Sequence, residues 1–301
     1  PVLLGVALIT FGLIHLAQGD PAVLLLGPLE ATPEQIAKTR ALLGLDKPIW
    51  QQAGVWLAKL LQGDLGDSIF LHRTVLQAIR ERLEPSLSLA LLGQFVAVGM
   101  GIPLGVIAAW RAHTWIDRGF MVFAVLGFST PVFFLALILM LVFGVALRWL
   151  PVTGYQDISS GLWPWLRHLI LPSITIGVIS SALIARMTRA SMLEVLREDY
   201  IRTARAKGLN EQVVLLRHAL RNAFTAILTV IGISFAALVS GVVVTETMFA
   251  LPGVGRLIVG AISTRDYPVI QGAILLVSTV YVLVNLVVDI LYVYVDPRIR
   301  Y

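Results

Sequence analysis

Few side chains in this sequence could do chemistry, and their spacing limits what that chemistry is. The five histidines (His15, His72, His113, His168 and His218) are scattered, with no H-E-x-x-H and no grouping that would give one ion several ligands. No metal site built by this chain is therefore expected. Cysteine is absent, which removes thiol catalysis, disulfides and thiolate-bound metals. No G-x-x-x-x-G-K-[ST] occurs, and the glycines of "GMGIPLG" and "LPGVGR" lack a phosphate-binding lysine, so they read as packing or turn glycines. No nucleophile and base fall at a common depth, which argues against a membrane-embedded hydrolase. Two features remain. Glu246 and Asp289 are carboxylates inside apolar runs, and the stretch from Glu198 to Ala223, "EDYIRTARAKGLNEQVVLLRHALRNA", is dense in cations.

An ionised carboxylate at membrane depth is costly and defaults to a functional reading. The competing reading of Glu246 and Asp289 is an inter-helix hydrogen bond, to Asn285 or to a neighbouring subunit. Neither carboxylate has a relay of further ionisable groups, which argues against proton-coupled transport. The residues leave both readings open.

The elements that must position these groups are membrane helices. Hydrophobic residues make up 57% of the 301 and charged residues 14%, where a soluble domain carries about 25% charged. The net charge of +5 could mark a nucleic-acid binder, but in a membrane chain basic residues collect on the cytoplasmic side. Six apolar runs are read as spans, at about 1–17, 85–110, 119–147, 169–186, 223–250 and 268–295. The first begins without Met, which predicts a trimmed N-terminus; it lacks the basic region of a signal peptide.

Arg111 and Arg118 follow the second span, and Arg298 and Arg300 close the chain. Arg186, Arg189, Arg197, Arg202, Arg205, Lys207, Arg217 and Arg221 lie between the fourth and fifth. The opposite loops hold Arg148, Arg167, Arg256 and Arg265. The excess predicts both termini in the cytoplasm. The segment 18–84 is then external, and it carries helix signals. Thr32, Pro33 and Gln35 form a capping box, and Gly44 ends that helix. A second helix is expected from about Lys47 to Gln62, stopping at Gly63, and a short third one carries Val75, Leu76, Ile79 and Leu83. Ala97, Gly101, Gly105 and Ala109, and likewise Gly232, Ala236 and Ser240, recur every fourth residue. Close helix packing is the favoured reading of both stripes; a pore-lining role is the other.

In the basic stretch, Lys207 and Gly208 read as a helix end, because glycine takes the left-handed conformation there without steric cost. Leu209 can fold back on the last turn. Asn210 suits the N-cap of a second helix with Glu211 in its first turn, and Val213, Leu216 and Leu220 recur on one face. The unit is helix, glycine turn, helix along the cytoplasmic surface. Ala204, Ala206 and Gly208 permit close approach while Arg202, Arg205 and Lys207 bring charge, a combination that suits an acidic groove of a partner protein. A DNA-binding helix-turn-helix has a similar pattern, but bracketing by spans argues against it. Adhesion to anionic lipid and the positive-inside bias alone also fit. Spacing does not choose among them.

"EDYIRTARAKGL" followed by "HALRNA" resembles the EAA-type coupling loop of ABC importer permeases of the dipeptide, oligopeptide and nickel branch, nearest the B-subunit type of dipeptide permease. "RMTRASMLEVL", "GDP" (Gly19–Pro21), "LGLDKP" (Leu43–Pro48), "GDLG" (Gly63–Gly66), "LPGVGR" (Leu251–Arg256), "RDYPVIQG" (Arg265–Gly272) and the final "DPRIRY" match it too, so the resemblance covers nearly the whole chain. Thr203, Ala204 and Arg205 stand at the EAA positions and Gly208 at the motif glycine. The implied coupling surface comprises Tyr200, Arg202, Thr203, Ala204, Arg205, Ala206, Lys207, Gly208 and Leu209. Phe224, Thr225 and Ala226 stand where the family usually continues into Leu-Pro, so a proline-set angle for the fifth span is not implied.

The expected fold is all-α, a polytopic membrane protein with six transmembrane helices, an external helical segment and a cytoplasmic coupling helix-turn-helix at 187–222, in one permease domain over 1–301. The resemblance implies one subunit of an ATP-driven importer of dipeptides or short oligopeptides in the bacterial cytoplasmic (inner) membrane. It implies a second related permease, two ATPase subunits that hold ATP and Mg, an external solute-binding protein and membrane lipid as partners. No cofactor on this chain and no nucleic acid are expected. A nickel chelate or another small solute is the alternative cargo, and a secondary transporter the alternative class.

Overall fold

The computed structural model describes residues 2–16, 22–23, 32–42 and 44–295. The early "GDP", Leu43, Arg298, Arg300 and "DPRIRY" lie outside them. The regular elements among the described residues are all helices, joined by turns and loops, with one isolated bridge between Asp67 and Thr74. It packs as two units, Pro1–Arg82 with Leu257–Val282, and Leu83–Arg256 with Leu283–Tyr301.

The first unit holds α1 (Val2–Leu16), α2 (Pro33–Leu42) and α3 (Ile49–Leu61), with parts of α4 (Val75–Trp110), α10 (Val254–Thr264) and α11 (Tyr267–Val295). The capping box forms as expected: Thr32 N–H donates to Gln35 Oε1 at 3.0 Å, and Gln35 N–H to Thr32 Oγ1 at 3.3 Å. Gly44 takes φ +67° and Gly63 φ +79° after their helices. On α11, Gln271 Nε2 donates to the Thr10 carbonyl of α1 at 2.8 Å. Buried Asp266 gathers the turn after α3, accepting from Ser68 Oγ at 2.5 Å and from the amides of Ile69 and Phe70 at 3.3 and 3.4 Å.

The short third external helix does not exist as a separate element. Val75, Leu76, Ile79 and Leu83 form the first turns of α4, which runs 36 residues through Pro85 and Pro103. Each proline removes one N–H donor, but a membrane helix tolerates that where neighbours re-satisfy the backbone. Val75 and Ile79 are buried; Leu76 is exposed.

In the second unit α4 is followed by α5 (Trp115–Ser129), α6 (Val132–Leu139) continuing as a π segment Met140–Ala146, α7 (Leu162–Val195), α8 (Asp199–Ala206), a single turn Glu211–Val213, a π segment Val214–Ala219 and α9 (Leu220–Met248). The expected single span 119–147 is broken. α5 and α6 meet at 105°, because Pro131 biases the residue before it out of the helical region. Thr130 is indeed extended, at φ −80° and ψ 123°. α7 outruns its expected span 169–186 at both ends. Its 34 residues measure about 51 Å at 1.5 Å each, against about 30 Å of hydrocarbon. Residues 187–195, expected as the start of the coupling loop, continue α7 without a break.

Among the described residues four helical stretches are long and apolar enough to cross a membrane: Val75–Trp110, Leu162–Val195, Glu211–Val239 and Tyr267–Ile290. The bent pair α5–α6 makes a fifth if it counts as one span, and α1 is shorter than these. The favoured packing reading of the first glycine stripe matches the geometry. A β-carbon on Gly101 would lie 2.7 Å from Ile184 Cβ, and one on Gly105 2.5 Å from Thr188 Cβ and 2.6 Å from the Ala185 carbonyl. On the facing helix, one on Gly177 would lie 2.6 Å from Val96 Cβ. Backbones of α4 and α7 thus touch directly. Gly232 faces Val288 of α11; the side chains of Ala236 and Ser240 lie outside the description.

Candidate functional site

The basic stretch folds as its local chemistry dictates. Gly208 takes φ +77°, its N–H donates to the Arg205 carbonyl at 2.9 Å, and Leu209 N–H donates back to Ala204 at 3.4 Å. These paired bonds form a Schellman end. Asn210 Oδ1 then accepts from Gln212 N–H at 3.0 Å as the next N-cap. Arg205 straddles the turn, donating to Glu211 through Nη2 at 2.7 Å and Nε at 3.2 Å. The Glu211 carboxylate holds the Arg205 guanidinium above its ordinary pKa. Partial burial, then the nearby Glu198, raises the Tyr200 hydroxyl. Arg202 pairs with Asp199 at 3.3 Å in full solvent, where such a pair contributes little.

One face of α8 is anchored. Ile201 and Ala204 are buried in a cluster with Val106 and Ala109 of α4, Met192 of α7, Val214, Leu215 and Ala219 of the π segment, and Ala223 and Ile227 of α9. Tyr200, Arg202, Thr203, Arg205, Ala206, Lys207, Gly208 and Leu209 are exposed together on the other side. Ala204, at 7% exposure, is the one expected coupling residue that faces inward, because it lies one helical turn from Ile201 and shares its stripe.

The second half of the unit also departs from expectation. The expected apolar face was Val213, Leu216 and Leu220. The buried residues are Val214, Leu215 and Ala219, while Val213 and Leu216 are exposed. A run of four apolar residues, Val213–Leu216, allows several registers, and the wider π turn selects one that periodicity of 3.6 does not describe. The result is an apolar strip of Leu209, Val213 and Leu216 beside the cations, with Leu216 59% exposed.

Glu246, wholly buried, sits in a cradle of donors. It accepts from Ser86 Oγ of α4 at 2.5 Å and from the Arg256 N–H at 3.0 Å; Ser86 Oγ in turn accepts from Val254 N–H at 2.8 Å. The "LPGVGR" loop wraps the carboxylate so closely that a β-carbon on Gly253 would collide with it. The geometry is that of an inter-element hydrogen bond, with Ser86 and loop amides as the donors. Asp289, by contrast, is exposed on α11 between Leu286 and Ile290, far in sequence from any such cradle.

One constellation has no counterpart in the motif reading. Asp117 of α5, 4% exposed, accepts from Arg189 of α7 through Nε at 2.6 Å and Nη2 at 2.7 Å, and from His113 N–H at 2.9 Å. The Thr114-x-x-Asp117 spacing signals a helix start, but its acid turns to a residue 72 positions away.

Residues 101–301 match the family described as binding-protein-dependent transport system inner membrane component, and residues 1–90 match the N-terminal region of membrane components of such systems. The chain is 50% identical over 296 residues to a probable peptide ABC transporter permease protein, y4tP, of Sinorhizobium fredii, over 98% of this chain and 94% of that one. It is 40% identical over 326 residues to the dipeptide transport system permease protein DppB of Escherichia coli, over 100% of this chain and 96% of that one. A solved structure described as an inward facing conformation of the MetNI methionine ABC transporter has a similar fold, with TM-score 0.60 over 73% of this chain and 97% of that one, at 18% identity.

Proposed function

The chain belongs to the family of binding-protein-dependent transport inner membrane components, and from that premise we propose that it is one permease subunit of an ATP-driven importer of dipeptides or short peptides. It is a multi-pass membrane protein. The observation that carries the mechanism is the two-sided α8: one face is packed into a buried core with α4, α7 and α9, and the other exposes cations, with exposed Leu209, Val213 and Leu216 following it in the chain. A span shifts between two packings only if something binds the two states with different free energy. Here two ATPase subunits, which hold ATP and Mg, supply that difference by gripping Tyr200, Arg202, Thr203, Arg205, Ala206, Lys207, Gly208 and Leu209. Ile201 and Ala204 pass the displacement to α4, α7 and α9.

The remaining parts follow from the same reading. The chain forms one permease domain of six spans, with α1 as the first, and pairs with a second, related permease. Both termini and α8 lie in the cytoplasm, and residues 18–84 meet a solute-binding protein outside. Full-length relatives named for peptides and dipeptides favour that cargo over a nickel chelate. This chain takes no part in ATP hydrolysis.

Reconstitution with the ATPase, second permease and binding-protein subunits tests the reading: dipeptide uptake should depend on ATP, and its absence would refute the proposal. Because the chain has no cysteine, single cysteines at Ala206 and Leu209 should crosslink to the ATPase. A β-carbon added at Gly208 meets nothing within 4 Å, yet a left-handed conformation costs a side chain about 1–2 kcal/mol, so Gly208→Trp strains the turn and places a large ring on the docking face. It should leave ATP hydrolysis and uncouple it from uptake; normal coupling would count against the grip.

A further inference from the structure

The first half of the broken span is held in an unusual way. Of the fifteen residues of α5, Asp117 and Ala124 are buried. Asp117 is at the end next to the α4–α5 turn, where it makes the two-pronged bond to Arg189 and accepts the His113 amide. Paired, charge-assisted bonds of this kind fix geometry as well as distance. At the other end the Arg186 guanidinium of α7 lies over the Phe128 ring, 5.9 Å from its centroid, and space is left beside that contact. A cavity of about 100 Å³ lies between α5 and α7, lined by Met121, Phe128, Ala182, Leu183 and Arg186 among others. A second, of about 110 Å³, is lined by Phe128 and Val132, which flank the break, and by Ile176, Leu183, Ser234 and Gly241. Gly127 approaches Ala182 no closer than ordinary contact, 3.7 Å for an added β-carbon. Beyond the break, α6 is seated again, with Ala136 and Met140 in a core with Leu169, Leu171 and Ile176 of α7 and Leu238 and Val242 of α9.

Arg189 is also close to the coupling unit along the chain. Three residues on, Met192 shares one buried cluster with Ile201 and Ala204 of α8. The end of α7 that carries Arg189 and the anchored face of α8 are therefore packed into one core.

We infer that Asp117 and Arg189 are positioning residues that link α5 to the coupling unit. The pair makes the near end of α5 follow α7 and α8, while its far end, hinged at Thr130–Pro131, swings into the space beside it. The inference rests on the importer reading above and adds a route for its stroke through one half of a broken span. Without the pair, the motor still turns over, but α5 no longer follows it.

The test uses the whole reconstituted transporter. Asp117→Asn and Arg189→Met should each keep ATP hydrolysis within about twofold and lower peptide uptake per ATP about tenfold. The exchanged pair, Asp117→Arg with Arg189→Asp, should recover most of that loss, which a role confined to folding would not predict for two individually assembled variants. Unchanged uptake per ATP in the single variants overturns the inference, as does failure of the exchange to recover any of it. A second measurement stands apart from variant stability. Phe128→Cys with Leu183→Cys, in the otherwise wild-type chain, should give a crosslink yield that changes at least threefold between nucleotide-free and ATP-bound complexes; an unchanged yield overturns the swing. If the wild-type complex shows no ATP-driven uptake at all, the importer reading itself fails and takes the link with it. If it transports and the link variants couple normally, only the link fails.

Discussion

Glu246 is a buried carboxylate that, among the described residues, is held by neutral donors. Ser86 Oγ and the loop amide of Arg256 supply the donors, and the close approach of the loop requires Gly253 to have no side chain. Leaving buried donors unmade costs about 1–3 kcal/mol, so Glu246→Ala should lower the thermal midpoint in detergent by several degrees and expose the 251–256 loop to proteolysis. Gly253→Ala should do the same from the other side. Equal midpoints for wild type and both variants would show that the cradle does not hold the loop. Apolar context alone marked Glu246 as expensive; it could not supply Ser86, 160 positions away. Asp117 teaches the same lesson, since nothing near Arg189 in sequence points to α5. The glycine turn at 208 and its Asn210 cap, by contrast, are made of neighbours, and both were readable.

Among the elements, the α4–α7 contact depends on missing side chains. Gly101 and Gly105 let α4 reach the backbone of α7, where Ala185 and Thr188 leave no room for a β-carbon. Overpacking costs about 1–3 kcal/mol where neighbours can shift, and more where the obstacle is backbone. Gly105→Val should therefore separate the helices and lower the yield of folded protein, while Gly99→Val, whose added β-carbon meets nothing within 4 Å, should be tolerated. Size-exclusion profiles and thermal midpoints of the two variants would check this; a Gly105→Val protein as stable as wild type would refute it. The four-residue recurrence showed the stripe, but not that its partner is α7. The break of α5 from α6 was written in Thr130–Pro131 and hidden by unbroken apolarity on both sides. The π segment Val214–Ala219 was hidden too, since no composition rule distinguishes it from an α turn.

For the whole molecule, the distribution of arginine predicts a topology that can be measured. In intact cells, Leu61→Cys should react with a membrane-impermeant maleimide from outside, and Arg197→Cys only after the membrane is opened. The reverse pattern would invert the orientation and place α8 out of reach of any cytoplasmic ATPase. Helix α7 joins the scales: it is longer than a membrane is thick, touches α4, α5, α6 and α9, and ends in the cluster that carries α8.

Composition and near neighbours were enough to show a helical membrane protein, the caps at Thr32 and Asn210, the turns at Gly44, Gly63 and Gly208, and a helix-glycine-helix unit rich in cations. Those properties depend on composition and on residues a few positions apart, which interact whatever the rest of the chain does. Tertiary structure alone decided which face of α8 is anchored, that Ser86 and the loop amides hold Glu246, and that Asp117 reaches Arg189. Each of those depends on segments distant in sequence meeting in direct contact, and in a chain this apolar many pairings would satisfy hydrophobicity equally well until helix packing selects one.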